Sequence, residues 1–218
     1  MPNILPSILV YSEIEYKKQM TSIHEVTDFV QIDIADGKFV DNTTWYDTAL
    51  IKEYCPVNFE LHMMVENPLE EIEKWKDIPQ MKRIIFHYEA VENIVLAVEK
   101  MKTFGREVSV CLNIETPFEV LKEIINQIDG VQFMGIIAGK QGQPFQPQVL
   151  EKIQSFKKQF PAIPLSADGH VSEETIPLLF EAGIENFCVG SAIWKGDGGA
   201  QESYLRLKNI VKNLVDNR

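Results

Sequence analysis

Asp33 and Asp168 each stand at or near the end of a short apolar run. His62 lies inside a third such run, and Gln31 precedes the first aspartate by two residues. Two carboxylates that reach one carbon from opposite faces can remove a proton on one side and return it on the other, which inverts a stereocentre. Proton loss from carbon needs an adjacent carbonyl and a way to hold the enediolate charge, and a divalent cation held by His and Asp supplies this as a Lewis acid. The stretch FVQIDIADG (29–37) poses the problem most sharply, because Gln31, Asp33 and Ala35 share one face of what reads as a buried strand. An unpaired carboxylate inside a sheet costs several kcal/mol, roughly. Asp33 therefore has a partner, or it sits at a strand end where something binds.

The elements that must position these residues follow one repeated pattern: a β-branched run, a loop with Gly, Pro, Asp or Asn, then an amphipathic stretch. The runs are ILPSIL (4–9), FVQIDIA (29–35), FELHMMV (59–65), RIIFHY (83–88), EVSVCLNI (107–114), GVQFMGII (130–137), IPLSA (163–167) and NFCVGSAI (186–193). Helices are predicted between them, among others over 92–104, over 117–128 with Pro117 in the first turn, and over 172–183, which opens on a Ser-x-x-Thr cap and closes on Gly183. Alternating strands and helices imply parallel pairing with right-handed crossovers, and eight units close a barrel. The expectation is a single (β/α)8 domain over residues 1–218.

In such a barrel the chemistry gathers at the C-terminal ends of the strands. That rule selects Ser7, Gln31 and Asp33, His62 and Met64, His87, Asn113, Met134, Asp168, and Gly190-Ser191, taken strand by strand. Glycine-bearing turns at Gly142, Gly169 and Gly190-Ser191 fit a phosphate held on backbone N–H groups. A phosphorylated ketose is the expected substrate.

Composition narrows the partners. The 218 residues are 45% hydrophobic, enough for one substantial core. A net charge of -11 argues against nucleic acid and anionic membranes, both of which call for a basic face. Cys55, Cys111 and Cys188 are odd in number and lie in or beside apolar runs, so they read as small buried hydrophobes in a reducing cytoplasm, with no general base beside them. The N-terminal MPNILPSILVYSE has no basic flank and only a short apolar run, so neither a signal peptide nor a membrane span is expected.

Taken together, LPSIL (5–9), DIADGKFVDN (33–42), LHMMVENP (61–68), FHYEA (86–90), LNIETPFEVL (112–121), GQPFQPQVLEKI (142–153), ADGHVSEETI (167–176) and VGSAIW (189–194) resemble the ribulose-phosphate 3-epimerase family over nearly the whole chain. The resemblance implies a (β/α)8 barrel and a divalent metal (Zn, Fe, Mn, Co or Mg) on two histidines and two aspartates, the same aspartates being the acid/base pair. Carried onto this chain, Asp33, His62 and Asp168 match metal ligands, with Asp33 and Asp168 catalytic. Ser7, Met64 and Met134 match substrate contacts, and Gly142, Gly169, Gly190 and Ser191 match phosphate contacts. His62 and His170 join the expected substrate-binding set. The expected partners are a phosphorylated sugar and further copies of the chain.

Four departures stand out. Gln31 occupies the position of the first ligand histidine, Ala35 that of a methionine, and Ile137-Ala138-Gly139 that of Asn-Pro-Gly in the sixth loop. His170 replaces the second glycine of the phosphate turn. Glutamine keeps the site's charge, but its oxygen favours harder ions such as Mn or Mg over late first-row metals. Two alternatives accompany the leading reading of ribulose 5-phosphate to xylulose 5-phosphate: an epimerase of another phosphoketose such as a ketohexose 6-phosphate, and a metal-free phosphosugar-binding barrel. A decarboxylase or aldolase is disfavoured because DIADG stands where those barrels carry Asp-x-Lys-x-x-Asp. His24 reads as a surface residue, His87 and Asn113 as structural polar groups, and Met63 as core.

Overall fold

Side chains of a strand alternate between its two faces, and in this chain the alternation divides two environments. In β2 (Phe29–Ala35), Val30, Ile32 and Ile34 belong to the main hydrophobic core, while Gln31 and Asp33 are buried among polar neighbours. The same division recurs in β3 (Asn58–Met64), where Phe59, Leu61 and Met63 face the core and Glu60 and His62 do not. The computed structural model describes residues 2–138 and 144–217 and explains this pattern. Eight parallel strands close into a barrel in sequence order, so one face of every strand looks outward at helices and the other looks into the barrel.

The remaining strands are β1 (Asn3–Ile8), β4 (Met81–His87), β5 (Glu107–Leu112), β6 (Gly130–Met134), β7 (Leu165–Asp168) and β8 (Asn186–Val189). Pairing of β1 with β8 places Asn3 opposite Asn186 and Pro6 opposite Val189 and closes the ring. Around it run α1 (Glu13–Ile23), α2 (Thr48–Tyr54), α3 (Pro68–Glu71), α4 (Ile94–Lys102), α5 (Gln148–Gln159), α6 (Thr175–Ala182), α7 (Ser191–Trp194) and α8 (Ala200–Asp216). Side chains of Ser12, Asp47 and Asn93 accept from the backbone N–H three residues on, capping α1, α2 and α4. The large buried core, from Tyr16 and Trp75 to Phe156 and Leu207, lies between strands and helices. Two small apolar clusters, Leu9–Ala35–Val40–Met64 and Ile85–Cys111–Met134–Ile136, stand apart from it.

The structure corrects several boundaries. Residues 117–128 form a 3₁₀ turn, Phe118–Leu121, followed by further turns rather than an α-helix. Its backbone bonds span three residues, as in Ile124 N–H to Leu121 O and Gln127 N–H to Ile124 O. Phe118, Leu121 and Ile124 recur at the 3₁₀ period, so the tighter winding buries the same face, and the β-branched pair Ile124-Ile125 weakens the preference for the α form. The sixth and eighth runs end as strands at Met134 and Val189, and Ser191–Trp194 is helical. The helix expected from 172 begins at Thr175. Ser172 N–H donates to Thr175 Oγ1 at 2.9 Å ahead of it, and Gly183 ends it in a left-handed conformation at φ 109°.

Glu60 and Arg83 form an ion pair at 2.8 Å, with Glu60 fully buried and Arg83 also bonded to Glu107. Burial pushes the Glu60 carboxyl up to about 7 against the pull of Arg83. Removing one partner strands the other charge in a low-dielectric interior. Arg83→Met should therefore lower unfolding free energy by about 3 kcal/mol in chemical denaturation, while Arg83→Met with Glu60→Leu should recover most of the loss.

Candidate active site

The ends of β1, β2, β3 and β7 bring Ser7, Gln31, Asp33, His62 and Asp168 to one point in the barrel mouth. Register does this directly: Ser7 pairs with Gln31, and Asp33 with His62. His62 Nδ1 lies 3.0 Å from Asp33 Oδ1 and 3.1 Å from Asp168 Oδ2. The Gln31 amide nitrogen donates to the same two oxygens, at 2.8 Å and 3.1 Å. Ser7 Oγ donates to the other oxygen of Asp33, and the Trp194 indole donates to the Ser7 carbonyl at 2.7 Å.

A buried and a half-buried carboxylate, Asp33 and Asp168, share this arrangement, and His62 can set only one positive charge against them. Burial raises the Asp33 carboxyl above the usual range, the Asp168 charge adds to that, and His62 and Ser7 oppose it. Burial works against protonation of His62, yet its bonds to Asp168 and Asp33 hold it well above the ordinary imidazole value. Ligand atoms of Asp33, His62 and Asp168 all lie within 4.8 Å of one another. Gln31 Oε1 is buried with no hydrogen-bond partner. Turning the amide would present this oxygen to the site in place of the nitrogen. Two carboxylate oxygens, one imidazole nitrogen and one amide oxygen fit a divalent cation.

Beneath this group lies a layer that the spacing of residues along the chain did not reveal. His62 Nε2 is 3.0 Å from His87 Nε2, and the two rings stack at 5.1 Å. Cys111 Sγ lies within 4.8 Å of the imidazoles of His62 and His87, which corrects the reading that no base stands beside a cysteine. Burial raises its thiol, but the charges of His87 and His62 outweigh this and hold it below the usual value. The signal was present in the inward face of β5, where Ser109 and Cys111 alternate with Val108, Val110 and Leu112.

Above the carboxylates opens a small cleft with a cavity volume of about 50 Å³. Ser7, Asp33, Met64, Met134, Asp168, Gly169, His170, Gly190 and Ser191 all line it, while Gln31 and His62 are fully buried. Cys188 also reaches the cleft. Ala35 packs with Leu9, Val40 and Met64 at the rim. Asn113 lies just past β5 and donates its N–H to Glu89, His24 is exposed, and Met63 is in the main core. Gly142, with Gly139 and Lys140 of the sixth loop, falls outside the described residues.

The turn after β7 is unusual in having two successive residues in the left-handed region, Gly169 at φ 104° and His170 at φ 54°. His170 is the sole non-glycine with positive φ among the described residues, a conformation that costs on the order of 1 kcal/mol. Thr175 Oγ1 donates to the His170 carbonyl at 2.8 Å and holds the turn. Gly135, which nothing in the sequence pattern singles out, is needed here: a Cβ there would meet Gly169 O at 2.5 Å.

An eight-stranded parallel barrel with a histidine-bridged carboxylate pair and a glycine-lined cleft at its C-terminal mouth is a (β/α)8 scaffold of the kind that carries enzyme sites at that end. The family model for the ribulose-phosphate 3 epimerase family matches residues 3–194, and the chain belongs to that family. A ribulose-phosphate 3-epimerase of Schizosaccharomyces pombe is 28% identical over 99% of this chain and 96% of its own length. One of Methanocaldococcus jannaschii is 30% identical over 86% of this chain and 78% of its own. The solved structure of 3-hexulose-6-phosphate synthase from Salmonella typhimurium superposes with a TM-score of 0.70 at 12% identity, covering 98% of this chain and 100% of that one, a likeness of fold.

A Cβ at position 169 would lie 2.5 Å from Ile136 Cγ1 and 2.9 Å from the Ile136 backbone nitrogen, in a backbone conformation unsuited to alanine. Gly169→Ala should thus shift the turn and weaken inorganic phosphate binding by about tenfold or more, read by calorimetry. A variant with wild-type phosphate affinity would separate this turn from anion binding.

Proposed function

We propose that the chain is a ketose-phosphate 3-epimerase that interconverts ribulose 5-phosphate and xylulose 5-phosphate. The observation that carries this reading is the pair Asp33 and Asp168, two carboxylates from strands on either side of the β1–β8 seam, both against His62 Nδ1 in a chain of this family.

Asp33 and Asp168 serve as the two bases. One takes the C3 proton from one face of the ketose; the other, protonated, delivers a proton to the opposite face, and the next turnover starts with the roles exchanged. Ser7 holds Asp33 by its hydroxyl and fixes which oxygen faces the cleft. A divalent cation on Asp33, His62, Asp168 and Gln31 would supply Lewis-acid stabilisation of the charge that develops on the substrate oxygens. Met64 and Met134 line the cleft with polarisable apolar surface and keep water from the enediolate. The phosphate rests on the turns at Gly169-His170 and Gly190-Ser191, both of which line the cleft, with the backbone N–H groups of Ser191 and Ala192 opening α7. His170 adds an imidazole donor to that turn. Three free, buried cysteines agree with a reducing cytoplasm. No helix among the described residues is long and apolar enough to cross a membrane.

Asp33→Asn and Asp168→Asn should each cut solvent-deuterium exchange at C3 by about 10²–10⁴-fold with the circular dichroism spectrum unchanged. Wild-type exchange in either variant would overturn the two-base mechanism. Gln31→His exchanges an oxygen ligand for imidazole, so Zn or Co affinity should rise about ten- to a hundredfold, roughly 1.4–3 kcal/mol, in a calorimetric titration. Unchanged metal binding would remove Gln31 from the ligand set.

A further inference from the structure

The two ring nitrogens of His62 face different partners. Nδ1 meets the carboxylates at 3.0 Å and 3.1 Å, and Nε2 meets His87 Nε2 at 3.0 Å. Two imidazole nitrogens in hydrogen-bond contact share one proton, since two lone pairs or two N–H groups would repel. A neutral His62 that offers its Nδ1 lone pair to a cation must carry its proton on Nε2, and His87 Nε2 is the acceptor placed to receive it. That choice fixes the next. His87 must then carry its own proton on Nδ1, a buried atom with no hydrogen-bond partner, and the nearest carboxylate to receive it is Glu89, whose Oε2 lies 3.5 Å away.

Glu89 is held for this task by its other oxygen, which accepts from the Asn113 N–H at 2.9 Å and from Thr116 Oγ1. His87 is held by its neighbours: its ring centroid lies 4.8 Å from that of Phe39 and 5.1 Å from that of His62. We propose that His87 and Glu89 are positioning residues, forming a carboxylate–imidazole–imidazole chain that sets the tautomer of His62 and so presents Nδ1 as a metal ligand. The inference rests on the proposed metal role of His62. Outer partners of this kind fix ring orientation and raise ligand basicity.

The same atoms admit one competing use. With Cys111 Sγ, one ring nitrogen each of His62 and His87 could enclose a soft metal, and for His62 the nitrogen turned from the carboxylates is Nε2. That use needs a lone pair on His62 Nε2, which is the opposite tautomer, so the two readings exclude each other.

Titration of the metal-free protein with Co²⁺, followed by calorimetry and absorbance, separates them. His87→Phe keeps an aromatic ring of similar bulk but offers no acceptor, and its Co²⁺ affinity should fall about 10- to 100-fold. His87→Gln offers an amide oxygen and should recover most of that loss. Glu89→Gln keeps the shape, removes the charge and should fall between wild type and His87→Phe, and Cys111→Ser should match wild type. Equal affinity in wild type, His87→Phe and Glu89→Gln would overturn the inference while leaving the metal site standing. So would equal losses in His87→Phe and His87→Gln, the sign of a packing role, or a thiolate-to-cobalt charge-transfer band that vanishes in Cys111→Ser. A wild type that takes up no Co²⁺ would overturn the metal reading and this inference together.

Discussion

Asp33 and Asp168 converge on a single imidazole nitrogen, and the surrounding structure answers the cost of that convergence. Like charges brought together away from water repel one another and lose hydration, so neither would stay ionised in an apolar barrel. Ser7 gives Asp33 a hydroxyl, Gln31 gives both carboxylates an N–H, and His62 gives both a ring nitrogen. Each of these donors is itself buried and fixed, which is why the inward faces of β1, β2 and β3 are polar at the mouth. The barrel interior is therefore a hydrogen-bonded layer with two small apolar patches, and the stabilising apolar core lies outside it, between strands and helices.

This division accounts for how much was legible in the sequence. Parallel strands covered on both sides read as continuous apolar runs, so all eight were visible, and polar residues interrupting them at a period of two marked the inward face. Asp33, His62, Asp168, Ser7, Met64, Met134 and Gly190-Ser191 followed from that rule together with the barrel's habit of placing chemistry at strand ends, whereas Leu9, Ile136, Val171 and Cys188 of the cleft did not. Ends of elements were harder to see. GVQFMGII and NFCVGSAI stay apolar past the last strand residue, because the segments that follow also pack inward, and composition does not register the turn at Gly135 or Gly190.

The segment 117–128 failed for a different reason. Its apolar residues satisfy both the 3.6 and the 3.0 period, so the pattern carried no information about winding, and packing decided it. Cys111 was missed because a cysteine inside an apolar run looks like core. Its neighbours, His62 and His87, come from two other strands and are tens of residues away in sequence. Tautomers and amide orientation at Gln31 and His87 are likewise properties of the assembled layer, since each is set by a partner on another strand.

The seam between β1 and β8 gives the site an order of assembly. Gln31 and Asp168 meet across 137 residues of chain, and the Trp194 indole reaches Ser7 across 187. A growing chain that has made only its first four strands holds Asp33, His62 and His87 but lacks the second carboxylate and the tie to Ser7. Contacts of such sequence separation form late, after the entropy of closing a long loop has been met. The half-built barrel thus has one carboxylate and no pair, and the pair is complete only with ring closure itself. An ion bound by both halves would act as a clasp on that ring, adding RT ln(1 + [L]/Kd) to its stability, about 2.7 kcal/mol at a hundredfold excess over Kd.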